Sequence, residues 1–557
     1  MPASPRAGIV EAPSTQDVSM ATMTGGDAVY HALKAADVSC VFGIPSQHNL
    51  GLYDALCRHG DIRVVGTRHE QGAVHAADGY ARATGKLGVA IVSTGPGTVN
   101  AVNGLYEAGF ASSPVLLLTT QIDTRYLGKG KGFIHDADQQ LAMLRTVTRR
   151  SERVLHARDI AATIHRVIAD IGTGRPQPGA VEIPTDLLLA PLPHETYAYT
   201  APPPLPADEA QFDAVARRLA ESRKPLLWVG GGCVSANAAD AVRELAERLG
   251  APVVSSVNGR GVLPAGHPLY VGCQTHLPAF NDLLSQADLV LAIGTRFQAL
   301  ASQYWQQPMP KNLVHIDADA GVIGRNYPAA LAVVADARLA VEGLLKRVAP
   351  IDVDGPFAAL ANEVRHTLQQ TVSRMIGPDH QRIVETIETR LPADSPVVGD
   401  ATITANTWGN YLLAIRGPRL AHYSTSLAIG PALPLGIGAA LGTGKKTLVI
   451  HGDGGVMLNL AEIATAVQTH APLVLCVFND SGYGVLKGLQ RVTTGRPYAV
   501  ELHTPDFVAL AAAMGMPGTR VRSADAFAHA LETALAVDGP YLIEIDLDSL
   551  EPIRMFG

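Results

Sequence analysis

Short runs of apolar residues alternate along this chain with stretches whose apolar positions recur every three or four residues, from about residue 23 onward. "KTLVIHGDGG" (Lys446 to Gly455) reads as a buried strand breaking into a glycine turn. "LNLAEIATAVQTH" has its apolar residues at helical spacing, and "APLVLCVFND" is a second buried strand. Wholly apolar strands joined by amphipathic helices predict parallel sheets covered by helices on both faces. Asp453 and Asp480 then stand at the C-terminal ends of two such strands, on the edge where open α/β sheets bind ligands. Two carboxylates beside bare backbone N–H groups at a helix start suit a divalent cation that holds a phosphate group.

The same pattern divides the chain into three doubly wound α/β domains. The first covers residues 21–192 and ends at "PLPHETYAYTAPPPLPADEA", too rich in proline for a helix or a central strand, which predicts a linker over 193–210. The second, 211–348, contains "PLLWVGGGC", "APVVSSVNGRG", "ADLVLAIGTRF" and "NLVHIDAD", each an apolar run ending in glycine or acid. After "VAPIDVDGPFAAL" a second linker is expected over 349–376, followed by the third domain, 377–557. "GVAIVSTGPGTVNAVNGLYEAGFASSPVLLLTTQ" in the first domain and "KTLVIHGDGGVMLNLAEIATAVQTHAPLVLCVFND" in the third share one order: strand, Gly-rich turn, helix, Pro-initiated strand. That implies two related sheets, only one of which carries the acids. Residues 1–20 lack a signal-type apolar stretch and are expected to be a frayed tail.

Composition removes several function classes. At 557 residues the chain exceeds one core, and 47% hydrophobic with 17% charged residues describes a large globular protein. A net charge of −7 gives no electrostatic case for nucleic acid or an anionic membrane. The apolar runs are far shorter than the roughly 20 residues a membrane span needs. Cys40, Cys57, Cys233, Cys273 and Cys476 form no CxxC pair, so they read as reduced thiols of a cytoplasmic protein with no zinc spacing.

Gly452-Asp453-Gly454, followed at some distance by Asn479-Asp480 and Tyr483-Gly484, resembles the metal signature of the thiamine diphosphate enzymes of the acetolactate synthase, pyruvate oxidase and benzoylformate decarboxylase superfamily. The resemblance runs through the whole chain after about residue 20 and is nearest to the acetolactate synthase large-subunit group. It implies Mg²⁺ held by the carboxylates of Asp453 and Asp480 and the carbonyl of Gly482, with Gly452, Gly454, Gly455, Tyr483 and Gly484 around the diphosphate. The usual second Asn is Asp480 here, an oxygen ligand at least as good. "RHEQGAVHAADGYARATG" is similar to the family's glutamate segment and makes Glu70 the partner of the aminopyrimidine N1′. A carboxylate there favours the cofactor's imino tautomer, the form that takes the thiazolium C2 proton. "YSTSLAIGPALPLGIGAALG" resembles the stretch that bends the cofactor, with Ile429 as the wedge and Leu427 offering its carbonyl to the 4′-amino group. "VVGDATITANTWGNYLL" resembles the loop that holds the diphosphate and pyrimidine through Thr402 and Thr404, although a hydroxyl after a strand also caps helices.

On the substrate side, "FGIPSQHNLGLYDAL" offers Gln47 and His48, and Gln121 matches a glutamine at the active-site edge of acetolactate synthases. His135 is a further candidate, and Lys129 with Lys131 reads equally as a charged surface turn. The middle domain resembles one that carries FAD in some relatives. Arg296-Phe297 lacks the synthase-like acidic continuation, so FAD is allowed but not expected, and Gly230, Gly231 and Gly232 serve close packing equally well. The implied function is a thiamine diphosphate- and Mg²⁺-dependent carboligase or decarboxylase of small 2-oxo acids or aldehydes. The expected assembly is a homodimer at minimum, with a homotetramer as the fuller form, and no nucleic acid or membrane partner. The alternatives are a benzoylformate-type decarboxylase, a 2-hydroxyacyl lyase, or a catalytically silent subunit of the same fold, which would have no chemical need for Glu70, Asp453 and Asp480 together.

Overall fold

The apolar runs pair in parallel into three six-stranded sheets in the computed structural model of the chain, which describes residues 22–206 and 208–555. The tail expected over 1–20 lies outside the described residues. In the first sheet the strands are Cys40–Gly43, Arg63–Gly66, Gly88–Val92, Val115–Gln121, Arg150–Arg153 and Gly179–Pro184. In the third they are Val397–Gly399, Ala421–Tyr423, Thr447–Gly452, Leu473–Asn479, Gly518–Val521 and Tyr541–Asp546. Counted in chain order within each sheet, both run 2-1-3-4-6-5, the structural counterpart of the repeated sequence pattern. The middle sheet runs 3-2-1-4-5-6, the doubly wound order whose crevice opens where the winding reverses. Central strands such as Gly88–Val92 and Leu289–Ile293 are buried at every position, which is why their sequences are continuously apolar.

The proline-rich stretch 194–206 forms neither helix nor strand, so no ladder constrains it. The second expected linker, 349–376, is different. A helix starts at Gly355 with a proline in its first turn and continues to Arg390, interrupted at Gly377, whose φ is 73°, just before Pro378. Phe357, Ala361, Val364, Leu368, Val372 and Ile376 are buried along one face, and this three-to-four spacing holds as helix a segment expected to be a connector. The break expected at Gly377 is a kink between two helical pieces.

The first and third units dock through helices. Helix α1 (Glu70–Thr84) is flanked on one side by α2 (Pro96–Ala111) and on another by α3 (Ala432–Thr443). The α1–α3 contact is built of small residues that bring backbone against backbone. A Cβ on Gly438 would lie 1.9 Å from the Ala76 carbonyl oxygen, and one on Gly79 would lie 2.0 Å from that of Leu435. Gly438→Ala should therefore push α3 off α1 and destabilise the protein by about 1–3 kcal/mol, the usual cost of overpacking. Thermal unfolding of purified protein checks this, and an unchanged midpoint would mean the helices do not meet this closely.

Candidate functional site

Strands Thr447–Gly452 and Leu473–Asn479 run side by side in register, His451 opposite Val477 and Gly452 opposite Phe478, so Asp453 and Asp480 leave the sheet together at one edge. Asp453 is buried, and its Oδ2 accepts the Gly482 N–H at 2.8 Å. Asp480 is half-buried, with its backbone carbonyl accepting from Lys487 Nζ at 2.7 Å. Burial raises both carboxyl groups, and the neighbouring Asp453 charge helps push Asp480 up to about 7. Asn479 turns away, donating from Nδ2 to Glu544 Oε1 at 2.9 Å and accepting the Ser481 N–H at 3.0 Å, which shapes the turn. Glycine is required beside the acids: a Cβ on Gly454 would lie 2.8 Å from the Tyr483 ring, and one on Gly484 would meet the Asp480 carboxylate.

Next to this edge, the loop after strand Ala421–Tyr423 carries Leu427 and Ile429. Leu427 has φ 62°, a left-handed backbone that costs a side-chain-bearing residue about 1–3 kcal/mol. Its side chain is 43% exposed, and Ile429 is half-buried and outside the hydrophobic cores, so neither serves as core filling. Asp400, at the end of strand Val397–Gly399, accepts the Gly430 N–H at 3.0 Å, and Asn459 Nδ2 donates to the Gly430 carbonyl at 3.0 Å. The two threonines separate. Thr402 lies against Gly452, where an added Cβ would come within 2.8 Å of its hydroxyl. Thr404 is fully enclosed, its hydroxyl without a partner, at the start of the π-helical turn Ala405–Gly409.

Glu70 is the first residue of α1, where the helix dipole favours its charge. It is half-buried; its Oε2 accepts from Asn100 Nδ2 at 3.0 Å, and Gly97 leaves room beside Oε1. The chain entering α1 is pinned from the third unit. Glu462, in α4 (Glu462–Gln468), is buried and accepts the backbone N–H groups of Arg68 and His69, both at 3.0 Å. Sequence reasoning passed over Glu462, because an acid on an amphipathic helix carries no mark of burial. Asp400 was readable, since it ends a strand just as Asp453 does.

The substrate-side candidates part company. Gln47 is exposed on its turn, while His48 is buried and its Nε2 has no partner. The His48 ring stacks on His135 with centroids 5.0 Å apart, and its Nδ1 stands 3.5 Å from Ser93 Oγ. Burial and the neighbouring His135 hold the His48 pKa below its ordinary value. Gln121, expected at the substrate edge, is fully enclosed. Its Oε1 accepts from the Ile122 N–H at 2.8 Å and Thr94 Oγ1 at 3.2 Å, and its Nε2 donates to the Ala137 carbonyl at 3.2 Å. Gln121 thus anchors the segment that bears His135, with both its oxygen and its nitrogen engaged within the chain. Lys129 and Lys131 are exposed surface residues.

In the middle unit, a Cβ on Gly230 would lie 2.1 Å from the Gly294 carbonyl oxygen, so that glycine is needed for strand–turn packing. Beside it, Gly231, Gly232, Ser256, Arg296 and Asp317 line a crevice at the strand ends.

Among the described residues, no group of three or more His, Cys, Asp or Glu is arranged to hold a metal. A cation at the third-unit edge would therefore use the Asp453–Asp480 pair and fill its remaining positions with carbonyl and phosphate oxygens, a donor set that suits Mg²⁺. Two acids pressed together against their own repulsion, beside glycines that leave the backbone open, fit a metal-bound diphosphate. No helix of the described residues is long and apolar enough to cross a membrane.

Comparison with known proteins agrees with this geometry. Residues 23–143 match the thiamine pyrophosphate enzyme N-terminal TPP binding domain, 212–344 the central domain and 402–545 the C-terminal TPP binding domain. The chain is 36% identical to the probable 2-ketoarginine decarboxylase AruI of Pseudomonas aeruginosa over 94% of each chain. It is 30% identical to the probable acetolactate synthase large subunit of Methanocaldococcus jannaschii, over 96% of this chain and 93% of that one. It is likewise 30% identical to the acetolactate synthase isozyme 2 large subunit of Escherichia coli, over 95% and 97%. Matched in all three domains and along nearly its full length, the chain belongs to the thiamine pyrophosphate enzymes, in the family of 2-oxo acid decarboxylases and acetolactate synthases.

Proposed function

We propose that this enzyme uses thiamine diphosphate with Mg²⁺ to decarboxylate a 2-oxo acid and then protonates the product fragment. The observation that carries this reading is the Asp453–Asp480 pair at one strand edge beside the strained Leu427–Ile429 loop. Bound thiamine diphosphate supplies the electron sink that lets CO₂ leave. The chain supplies the rest. Asp453, Asp480 and the Gly482 carbonyl hold the cation, with Thr402 and the Gly452–Gly455 turn beside the diphosphate. Tyr483 and Gly484 close this wall, and Thr404, with its enclosed and unpartnered hydroxyl, stands at the start of the turn behind it. Ile429 bends the cofactor, the Leu427 carbonyl orients its 4′-amino group, and Glu70 holds a proton at N1′. His48, neutral near pH 7 and with a free Nε2, is suited to moving a proton at the substrate carbon, with Gln47 at the pocket mouth. That histidine pair favours protonation over carboligation; acetolactate synthase-like joining of two substrates is the second reading. Both reactions are redox-neutral, so neither requires FAD, which the middle unit allows but is not expected to hold.

We further propose a homodimer at minimum, pairing into a tetramer, with each site shared between the first unit of one chain and the third unit of the other. Two observations support it. The neighbours of Glu70 within its own chain, Asn100 and Gly97, belong to the first unit and not to the metal edge. Apolar side chains also stand exposed around both half-sites: Val99 and Tyr106 on α2, and Leu427, Met457 and Leu458 in the third unit. Helix α5 (Gly484–Thr494), directly after the metal motif, has no buried residue and exposes Leu486, Leu489 and Val492.

Substrates separate the readings. 2-Ketoarginine, pyruvate, phenylglyoxylate and glyoxylate should be incubated with the loaded enzyme and the products identified. CO₂ with an aldehyde is the expected result; a 2-hydroxy-2-alkyl-3-oxo acid as main product would establish carboligation instead. Asp453→Ala and Asp480→Ala should each fold and lose retention of thiamine diphosphate, measured by calorimetric titration with and without Mg²⁺. Undiminished affinity in metal-free buffer would remove the carboxylate pair from cofactor binding. Glu70→Gln and Asp453→Ala, each inactive alone, should recover roughly a quarter of native activity when subunits are exchanged in equal amounts, because half the dimers are mixed and carry one intact site. No recovery after demonstrated exchange would put each site within a single chain.

A further inference from the structure

Behind the Leu427–Ile429 loop lies a buried ionic cluster contributed wholly by the first unit. Glu107, on α2, has no exposed surface, and neither has Asp78 on α1. Arg82, also on α1, donates from Nε to Asp78 Oδ1 at 2.8 Å and from Nη2 to Glu107 Oε1 at 2.9 Å; Nη2 also pairs with Asp78 Oδ2. The cluster does not stop within its own unit. Arg82 Nη1 donates to the Tyr423 carbonyl at 2.8 Å, while Glu107 accepts the N–H of Thr425 at 2.7 Å, the N–H of Ser426 at 2.9 Å and the Ser426 hydroxyl. Burial pushes the Glu107 carboxyl upward, but Arg82 and Ser426 more than offset this and keep it ionised below the ordinary carboxylate range.

A buried carboxylate with four donors is an expensive fixture unless every bond is made, and here every bond is made. Two of those donors are consecutive backbone N–H groups immediately before the residue with the strained φ. Within itself the loop is held by Ser424 Oγ, donating to the Ala428 carbonyl at 2.6 Å, and by the Leu427 N–H, donating to the Ser424 carbonyl at 3.1 Å, while the Ser424 N–H reaches the Gly399 carbonyl at 3.1 Å. Its far end is fixed by Asp400 at Gly430. Without Glu107 the backbone N–H groups of Thr425 and Ser426 would lose their acceptor just before the strained residue, and a relaxed φ would rotate the Leu427 carbonyl and shift Ile429.

We propose that Glu107 is a positioning residue for the cofactor: by fixing the Thr425 and Ser426 backbone it holds Leu427 and Ile429 in the conformation that bends thiamine diphosphate. The inference rests on the functional reading above. It ties α2 of the first unit to the third unit's site in the same chain, while α1 carries Arg82 in this cluster and Glu70 at its other end. Glu107→Gln tests it, because an amide has one acceptor oxygen and turns an NH₂ toward donors that need an acceptor. Ser426→Ala removes only the hydroxyl bond and serves where the first variant folds poorly.

Both variants and the wild type should be titrated with thiamine diphosphate and Mg²⁺, and the exchange of the bound cofactor's C2 proton followed by NMR after acid quench. The expected result is affinity within about threefold of wild type but exchange slowed about tenfold or more in Glu107→Gln, and more mildly in Ser426→Ala, with kcat falling and KM steady. A purely structural role would lower thermal stability and affinity together and leave the exchange rate of bound cofactor alone. Folded Glu107→Gln with wild-type exchange overturns the proposal; if that variant does not fold, wild-type exchange in Ser426→Ala does so. A wild type that binds no thiamine diphosphate overturns the functional reading itself.

Discussion

The close approach of α1 to α3 is the constraint on which the rest depends. Backbone meets backbone at Gly79 and Gly438, so the first and third units can dock in one geometry only. That geometry brings Glu462 to the start of α1 and Glu107 with Arg82 to the loop at Leu427. The same contact therefore sets the origin of the helix bearing Glu70 and the conformation of the loop bearing Ile429. Small residues at this joint trade side-chain burial for precision of distance, a sensible exchange where a cofactor must be gripped from two domains.

Charge is arranged around that joint with two opposite outcomes. At the domain boundary each buried acid is answered: Arg82 and backbone N–H groups surround Glu107, and Arg68, His69 and Thr465 meet Glu462. At the strand edge Asp453 and Asp480 face each other with backbone N–H groups around Asp453 and no cationic side chain bonded to either carboxylate among the described residues. The answered acids build structure, while the unanswered pair is what the proposed cation would bridge. This contrast, more than the presence of carboxylates, separates the binding edge from the architecture.

Much of this was legible in sequence because the signals were local. Continuous apolar runs, glycine turns and the acids that follow them fix the parallel sheets and put Asp453 and Asp480 on one edge, and the family motifs single out Glu70, Leu427 and Ile429. What escaped notice is non-local. Glu107 and Glu462 look like solvent-facing acids on amphipathic helices until another domain is packed over them. Gln121 sits at a strand end like a site residue, yet the Thr94 hydroxyl, the Ala137 carbonyl and the N–H of the next residue use its polar atoms. The helix Gly355–Arg390 was hidden by its glycine-proline start, although Phe357, Ala361 and Val364 already carry its period.

The shared strand order of the first and third sheets has one more implication. Helices α1 and α3 occupy equivalent places, each leading from the second to the third strand of its sheet. Their packing is therefore a contact between like surfaces, as at the two-fold axis of a symmetric pair. A single chain is already a pair of unequal halves: one carries Glu70, the other the Asp453–Asp480 pair. On the function proposed above neither half hosts the complete chemistry, so pairing a first unit with the third unit of another chain becomes a condition of activity and not merely of stability.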